Sequence, residues 1–325
     1  MPLNGQMLDL ARRFKVGRAF YRTYYAPAGF LSKCRQEGLA NLLLSRLGRA
    51  RMAAAAARLP AVHQSAQGPV LDLHFLSGRD FWYQTCFCAF SMIRRSDVPL
   101  RPILYDDGTF SPLTLDRIRR LFPLARFESS AAIESRLNDA LPASRYPSLR
   151  ARRLVYPHLR KLTDVHAGLR GWKMVLDSDM LFYRKPTFLL DWMRDPDRPC
   201  TMVDVADCYG YPMDLLSELA EAPIPGRVNV GICGLKSEDI DWDRLEYWCQ
   251  QMLARAGSHY LQEQALTAML LAGQNCAIAP PDDYVAKPAR NEVRQPGAIM
   301  HHYVAESKAW YFRYGWKHIA NNVSH

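Results

Sequence analysis

The chain of 325 residues has no run of about 18 apolar residues, which excludes a membrane-spanning helix on hydropathy. It also has no P-loop, no Gly-x-Gly-x-x-Gly turn and no Gly-x-Ser-x-Gly elbow. Those absences argue against kinase-type, dinucleotide-binding and hydrolase chemistry. Eight cysteines are present, yet no two stand at the Cys-x-x-Cys spacing of a zinc site. Several lie in apolar runs such as Cys86-Phe-Cys-Ala-Phe90, and Arg12-Arg13 stands where an export signal would have its apolar stretch. Buried, reduced thiols in a cytoplasmic protein are therefore expected, and the sequon Asn322-Val-Ser324 reads as coincidental.

Acidic residues are scarce in one place. Residues 1–60 carry eleven Lys or Arg against Asp9 and Glu37, so this segment holds +9 of the chain's net +10. A basic segment on a nearly neutral body suits an anionic surface, either membrane headgroups or nucleic acid. A solvated helical layer is the plain alternative. Hydrophobic content of 49% with 23% charged residues fits a soluble chain able to bury a core without disulfide or metal staples.

Residues 6–58 read as helices, interrupted at Pro27-Ala-Gly29 and closed by Pro60 and the polar stretch His63–Gly68. After that the rhythm changes. Short apolar runs at 70–76, 100–105, 173–176, 200–205 and 228–235 read as strands. Helical patterns fill 80–95, 114–122, 149–162, 239–254 and 262–272. Such alternation implies a mostly parallel sheet with helices on both faces, and ligands of these sheets bind at the carboxyl ends of the strands. The expected organisation is a basic helical extension, 1–66, followed by one α/β domain, 67–325.

One such end carries Lys173-Met-Val-Leu-Asp-Ser-Asp-Met-Leu-Phe182. In an extended segment Asp177 and Asp179 face the same side, about 6.6 Å of chain apart. Two carboxylates so placed suit a hard divalent cation, Mn²⁺ or Mg²⁺, with open positions for substrate phosphates. Apolar residues flank the pair on both sides, where uncompensated carboxylates would be expensive. Capping or a salt bridge is the plainer role.

The pattern apolar-apolar-Leu-Asp-x-Asp-apolar-apolar resembles the metal motif of GT-A fold glycosyltransferases. It looks closest to family 8, which includes glycogenin and bacterial lipopolysaccharide galactosyl- and glucosyltransferases. Three further segments keep the family's order. Arg153-Leu-Val-Tyr-Pro-His-Leu159 resembles the segment whose arginine helps hold the donor. Val228-Asn-Val-Gly-Ile232 resembles the strand whose asparagine lies near the donor sugar, which places Asn229 and Gly231 there. Gln262-Glu-Gln264 stands where the family has Gln-Asp-Gln around the anomeric carbon, so Glu263 and Gln264 become the catalytic candidates. Near the end, His302-Tyr-Val-Ala-Glu-Ser-Lys308-Ala-Trp310 matches His-x-x-Gly-x-x-Lys-Pro-Trp in three positions. The resemblance makes His302 the third metal ligand, with His301 as the neighbouring alternative, and puts Lys308 on the phosphates. Alanine replaces the glycine at 305 and the proline at 309, and a Cβ at 305 either stiffens that loop or changes how closely it approaches a pyrophosphate.

By the same resemblance, Ser77 and Gly78 would bind the nucleotide base and ribose. Asp106 in Asp106-Asp-Gly108 would either touch the nucleoside or simply begin a turn. The run Trp310–Lys317 mixes aromatic and basic residues, which suits a membrane interface or core packing. The resemblance therefore implies a GT-A, Rossmann-like fold and a retaining, metal-dependent hexosyltransferase. Its donor would be UDP-linked and its acceptor a hydroxyl of a cell-envelope polysaccharide or glycolipid. The rivals are a non-catalytic nucleotide-sugar or polyanion binder and, less favoured, nucleic-acid binding through residues 1–60.

Overall fold

A seven-stranded sheet takes the order β3-β2-β1-β4-β7-β6-β8 in a computed structural model that describes residues 39–65 and 67–321. The strands are β1 (Leu71–Ser77), β2 (Leu100–Asp106), β3 (Arg126–Glu128), β4 (Trp172–Leu176), β6 (Cys200–Val203), β7 (Val228–Lys236) and β8 (Ala277–Ala279). Only β7 runs against the others. A second sheet, β5 (Met180–Phe182), β10 (Met300–His302) and β9 (Tyr284–Ala286), sits beside it in the order β5-β10-β9. The helices expected over residues 6–38 lie outside the described residues, and the first described helix is Leu39–Ala56. From Met52 onward the described residues form one compact unit.

Alternate residues of β4 separate two cores. Met174 and Leu176 join the cluster containing the helix Trp82–Ile93, whereas Val175 joins the cluster containing the helices Trp242–Ala256 and Gln262–Leu270. Both faces of the sheet are covered, so its strands read as continuous apolar runs rather than alternating ones. All twelve residues of Trp82–Ile93 are buried, which explains why this helix shows little sidedness in sequence. Other helices start where the sequence offers a cap. Ser111 accepts the Thr114 amide ahead of Pro112, and Asp241 accepts the Arg244 amide ahead of Trp242.

The helix expected over 149–162 is not continuous. It breaks into Pro147–Val155, a 3₁₀ turn Pro157–Leu159 and Arg160–His166. Pro157 is the cause: Tyr156 before it is pushed to φ −131°, ψ 90°, away from helical geometry. The break re-aims the second piece, which is buried from Lys161 to His166. The strand expected over 200–205 ends at Val203, where Asp204 begins a loop.

Topology gathers one edge of the sheet. Ser77 pairs with Asp106 at the ends of β1 and β2, and Leu176 at the end of β4 pairs with Ile232. Because β7 is antiparallel, its amino-terminal half lies at this same edge, as does Asp204 after β6, where Met202 pairs with Asn229.

Candidate metal and nucleotide site

The two sheets bring distant segments together. β5 begins directly after Asp179, and β10 pairs with it antiparallel so that His302 stands opposite Met180. The Tyr303 amide then donates to the Asp179 carbonyl at 2.9 Å, fixing this register. One ligand atom from each of Asp177, Asp179 and His302 falls within 4.8 Å of the other two. His302 Nε2 lies 3.6 Å from Asp177 Oδ2 and 3.3 Å from Asp179 Oδ1. His301 takes the opposite course: its ring is buried, with Nε2 2.9 Å from Glu292 Oε1 and Nδ1 3.3 Å from the Tyr303 hydroxyl.

Gly231 admits the imidazole. A Cβ built there would lie 2.4 Å from His302 Cε1 and 2.5 Å from Nδ1. The Gly231 carbonyl also accepts the Asp177 amide at 2.9 Å, and its own amide donates to Asn229 Oδ1 at 2.9 Å. Asn229 therefore holds the backbone that holds Asp177. His302 Nδ1 is buried and has no hydrogen-bond partner among the described residues, so Nε2 is the nitrogen offered to the carboxylates. Two oxygens and one imidazole nitrogen, on backbone fixed by strand pairing, fit a divalent cation that keeps open positions.

Two lysines supply positive charge. Lys308 Nζ lies 3.0 Å from Asp179 Oδ2 and is half exposed, within reach of an incoming anion. Burial alone would raise the Asp179 carboxyl, but the Lys308 ammonium and His302 outweigh it and hold Asp179 well below the usual carboxylate range. Lys161 is the residue that sequence reasoning missed. Its buried ammonium lies 3.0 Å from Asp177 Oδ1 and 3.3 Å from Glu263 Oε2. Burial would lower its pKa, yet the two carboxylates raise it. Glu263 is pushed up to about 7 by burial and by Asp177, with Lys161 pulling the other way. No signal in the sequence marked it, since the helix Arg160–His166 has only Leu162 and Val165 as apolar residues.

The remaining sequence candidates divide. Gln264 is buried, and its amide nitrogen donates to Asp204 Oδ2 at 3.1 Å and to the Cys208 carbonyl at 3.0 Å, so its neighbours are the loop after β6. Arg153 is not brought to the acidic pair. Its guanidinium donates twice to the buried Asp164, at 2.5 and 2.8 Å, and once to Glu134 at 2.9 Å. Ser77 is buried and its hydroxyl is 2.8 Å from Thr85 Oγ1, which in turn is 2.8 Å from Ser178 Oγ between the two aspartates. Asp106 Oδ1 accepts the amides of Gly108, Thr109 and Phe110, the geometry of a turn cap. In the run Trp310–Lys317, Tyr311, Phe312 and Trp316 are buried, and Trp316 packs 5.6 Å from Phe87. Core packing thus accounts for these three rings. Arg290 and Arg313 lie over Trp310.

No protein-family model and no curated protein matches the sequence. Solved structures do match in fold. The galactosyltransferase LgtC, in complex with donor and acceptor sugar analogues, superposes with a TM-score of 0.52 at 14% identity, over 78% of this chain and 97% of that one. The bifunctional glycosyltransferase WbbM in its apo form gives 0.50 at 13% identity, over 80% of this chain and 53% of that one. The fold is GT-A, as expected from the sequence: a mostly parallel seven-stranded sheet flanked by helices. Among the described residues no helix is long and apolar enough to cross a membrane.

Proposed function

We propose that this protein is a glycosyltransferase that moves a hexose from a nucleoside-diphosphate sugar, UDP-linked, to a hydroxyl acceptor. One observation carries the reading. Asp177, Asp179 and His302 converge at the carboxyl edge of a GT-A sheet, with Lys308 beside them. A pyrophosphate and two aspartates repel, so a donor can lie there only if positive charge stands between them.

In this reading Asp177, Asp179 and His302 hold Mn²⁺ or Mg²⁺. The cation, when bound, neutralises the diphosphate as it becomes the leaving group. Lys308 turns from Asp179 toward the phosphates and adds a mobile positive charge where negative charge develops. Lys161 keeps Asp177 oriented while holding the Glu263 carboxyl at the wall of the same cleft. Glu263 and Gln264 then border the sugar from the helix Gln262–Leu270. By resemblance the anomeric configuration is retained. The acceptor is a glycan or glycolipid of the cell envelope, met by a protein resting on the inner face of the membrane. The basic segment 1–60 and exposed Arg290, Arg294 and Lys317 support that surface contact.

The test is UDP release from a panel of sugar donors with Mn²⁺ and with chelator. Turnover that ignores the chelator, or full activity in Asp179→Ala, refutes the metal-assisted reading. The product's anomeric configuration, read by NMR, decides retention. A nucleotide-sugar binder without activity would bind UDP calorimetrically and release nothing from any donor.

A further inference from the structure

Main chain fixes the acidic turn at both ends. The Asp177 amide donates to the Gly231 carbonyl, and the Tyr303 amide donates to the Asp179 carbonyl, each at 2.9 Å. Ser178 lies between these anchors, in the turn that joins β4 to β5. Its carbonyl is met by the Tyr311 hydroxyl at 3.5 Å, the outer limit of a hydrogen bond.

The middle of the turn is held by the helix Trp82–Ile93. Thr85 and Cys88 stand about one helical turn apart on one face of that helix, and both meet the acidic turn. Thr85 Oγ1 is 2.8 Å from Ser178 Oγ, and the Cys88 thiol lies 3.6 Å from the Asp177 carbonyl. Thr85 Oγ1 is also 2.8 Å from Ser77 Oγ at the end of β1. Three hydroxyls thus form a chain from β1, through the helix, to the centre of Asp177-Ser-Asp179. Ser77 and Thr85 are 2% and 1% exposed, so water does not compete for these bonds. A hydroxyl has one proton and two lone pairs. Thr85 can therefore donate to the Phe81 carbonyl, 3.3 Å away, and accept from both serines. Removing that one oxygen releases both ends of the chain.

We propose that Thr85 is a positioning residue of the metal site: through Ser178 it holds the Asp177–Asp179 turn ready for the cation. The proposal rests on the metal-assisted reading and names the group that preorganises the site. Two carboxylates on one short turn repel each other. Lys161 and Lys308 each hold one of them at 3.0 Å, from different elements. The tie at Ser178 keeps the backbone between them from shifting, and metal–ligand distances tolerate only about 0.2 Å. Thr85 touches neither carboxylate and acts through the turn alone.

Calorimetric titration of Mn²⁺ into the full chain tests this without any turnover. Thr85→Val keeps the branched shape and removes the oxygen, so Mn²⁺ should bind about ten- to a hundred-fold more weakly. Thr85→Ser restores the oxygen and should recover most of that loss. Ser178→Ala should weaken binding as Thr85→Val does, and the double variant should be little worse than either, because both cut one bond. Ser91→Ala is the control for a buried hydroxyl on the same helix. Its Oγ accepts the Phe182 amide at 3.0 Å, at the far end of β5, so this variant should melt earlier and bind Mn²⁺ normally. Wild-type affinity in folded Thr85→Val, or equal losses in Thr85→Val and Ser91→Ala, overturns the assignment alone. Additive losses in the double variant overturn the route through Ser178. A wild-type chain that binds neither Mn²⁺ nor Mg²⁺ overturns it together with the metal-assisted reading.

Discussion

Replacing Gly231 by alanine should remove metal affinity while leaving the fold standing. The added Cβ would lie 2.4 Å from His302 Cε1 and 2.5 Å from Nδ1, where ordinary contacts are about 3.4 to 4 Å. The ring must therefore retreat by about 1 Å, whereas metal–ligand distances tolerate about 0.2 Å. His302 has little room to compensate, being 3% exposed and held in β10 between Met180 and the fully buried Tyr303. Losing the third ligand should weaken Mn²⁺ binding by at least about the 10–100-fold seen when even a supporting partner of a ligand is removed. Overpacking should also destabilise by about 1–3 kcal/mol, a melting-point drop of roughly 2–4 °C for each kcal/mol. Gly234→Ala is the control on the same strand. Its Cβ would meet Trp192 at 2.5 Å and Cys200 Cβ at 2.8 Å, neither of them part of the acidic site, so it should melt early and bind Mn²⁺ normally. Calorimetric titration of both folded variants decides. Wild-type Mn²⁺ affinity in Gly231→Ala would show that His302 is not a ligand.

Three further outcomes are expected. Arg153→Met should cost about 3–5 kcal/mol in a denaturant melt, because it leaves the buried Asp164 carboxylate uncompensated, with UDP affinity of the folded protein unchanged; weakened UDP binding at full stability would restore a donor role to Arg153. Glu263 keeps its proton up to about pH 7 when folded against about 4.5 unfolded, so the metal-free protein should lose stability as pH rises through that interval, on the order of 3 kcal/mol. Glu263→Gln should flatten that decline in melts at pH 5 and pH 8; a decline of the same depth would place its source elsewhere. Ala305 sits at φ +47°, a conformation disfavoured by roughly 1–2 kcal/mol for a residue with a Cβ, and Ala305→Gly should stabilise by about 1 kcal/mol after the unfolded-state entropy of glycine is counted. A lower melting point for Ala305→Gly would contradict the strain at that turn.

The candidate cluster of Asp177, Asp179 and His302 was legible because each member announces itself within a short window. Asp177 and Asp179 are two carboxylates after an apolar strand, and His302 with Lys308 keeps the spacing of the family motif that the segment resembles. Lys161 carried no such mark. A lone lysine beside arginine reads as surface, and its burial comes from a backbone event, the break at Pro157 that turns Arg160–His166 inward. Arg153 is the mirror-image case. Its neighbours in sequence looked like a donor segment, but its true partners, Glu134 and Asp164, are decided by packing between helices. Gly78 shows the same limit in another form. A Cβ there would lie 2.1 to 2.2 Å from the Asp107 carboxylate, which comes from the end of the next strand, so only the pairing of β1 with β2 reveals the fit. Sequence therefore displayed the groups that act through their own chemistry. The groups that act through the space or charge of a partner became visible once the strands were in register.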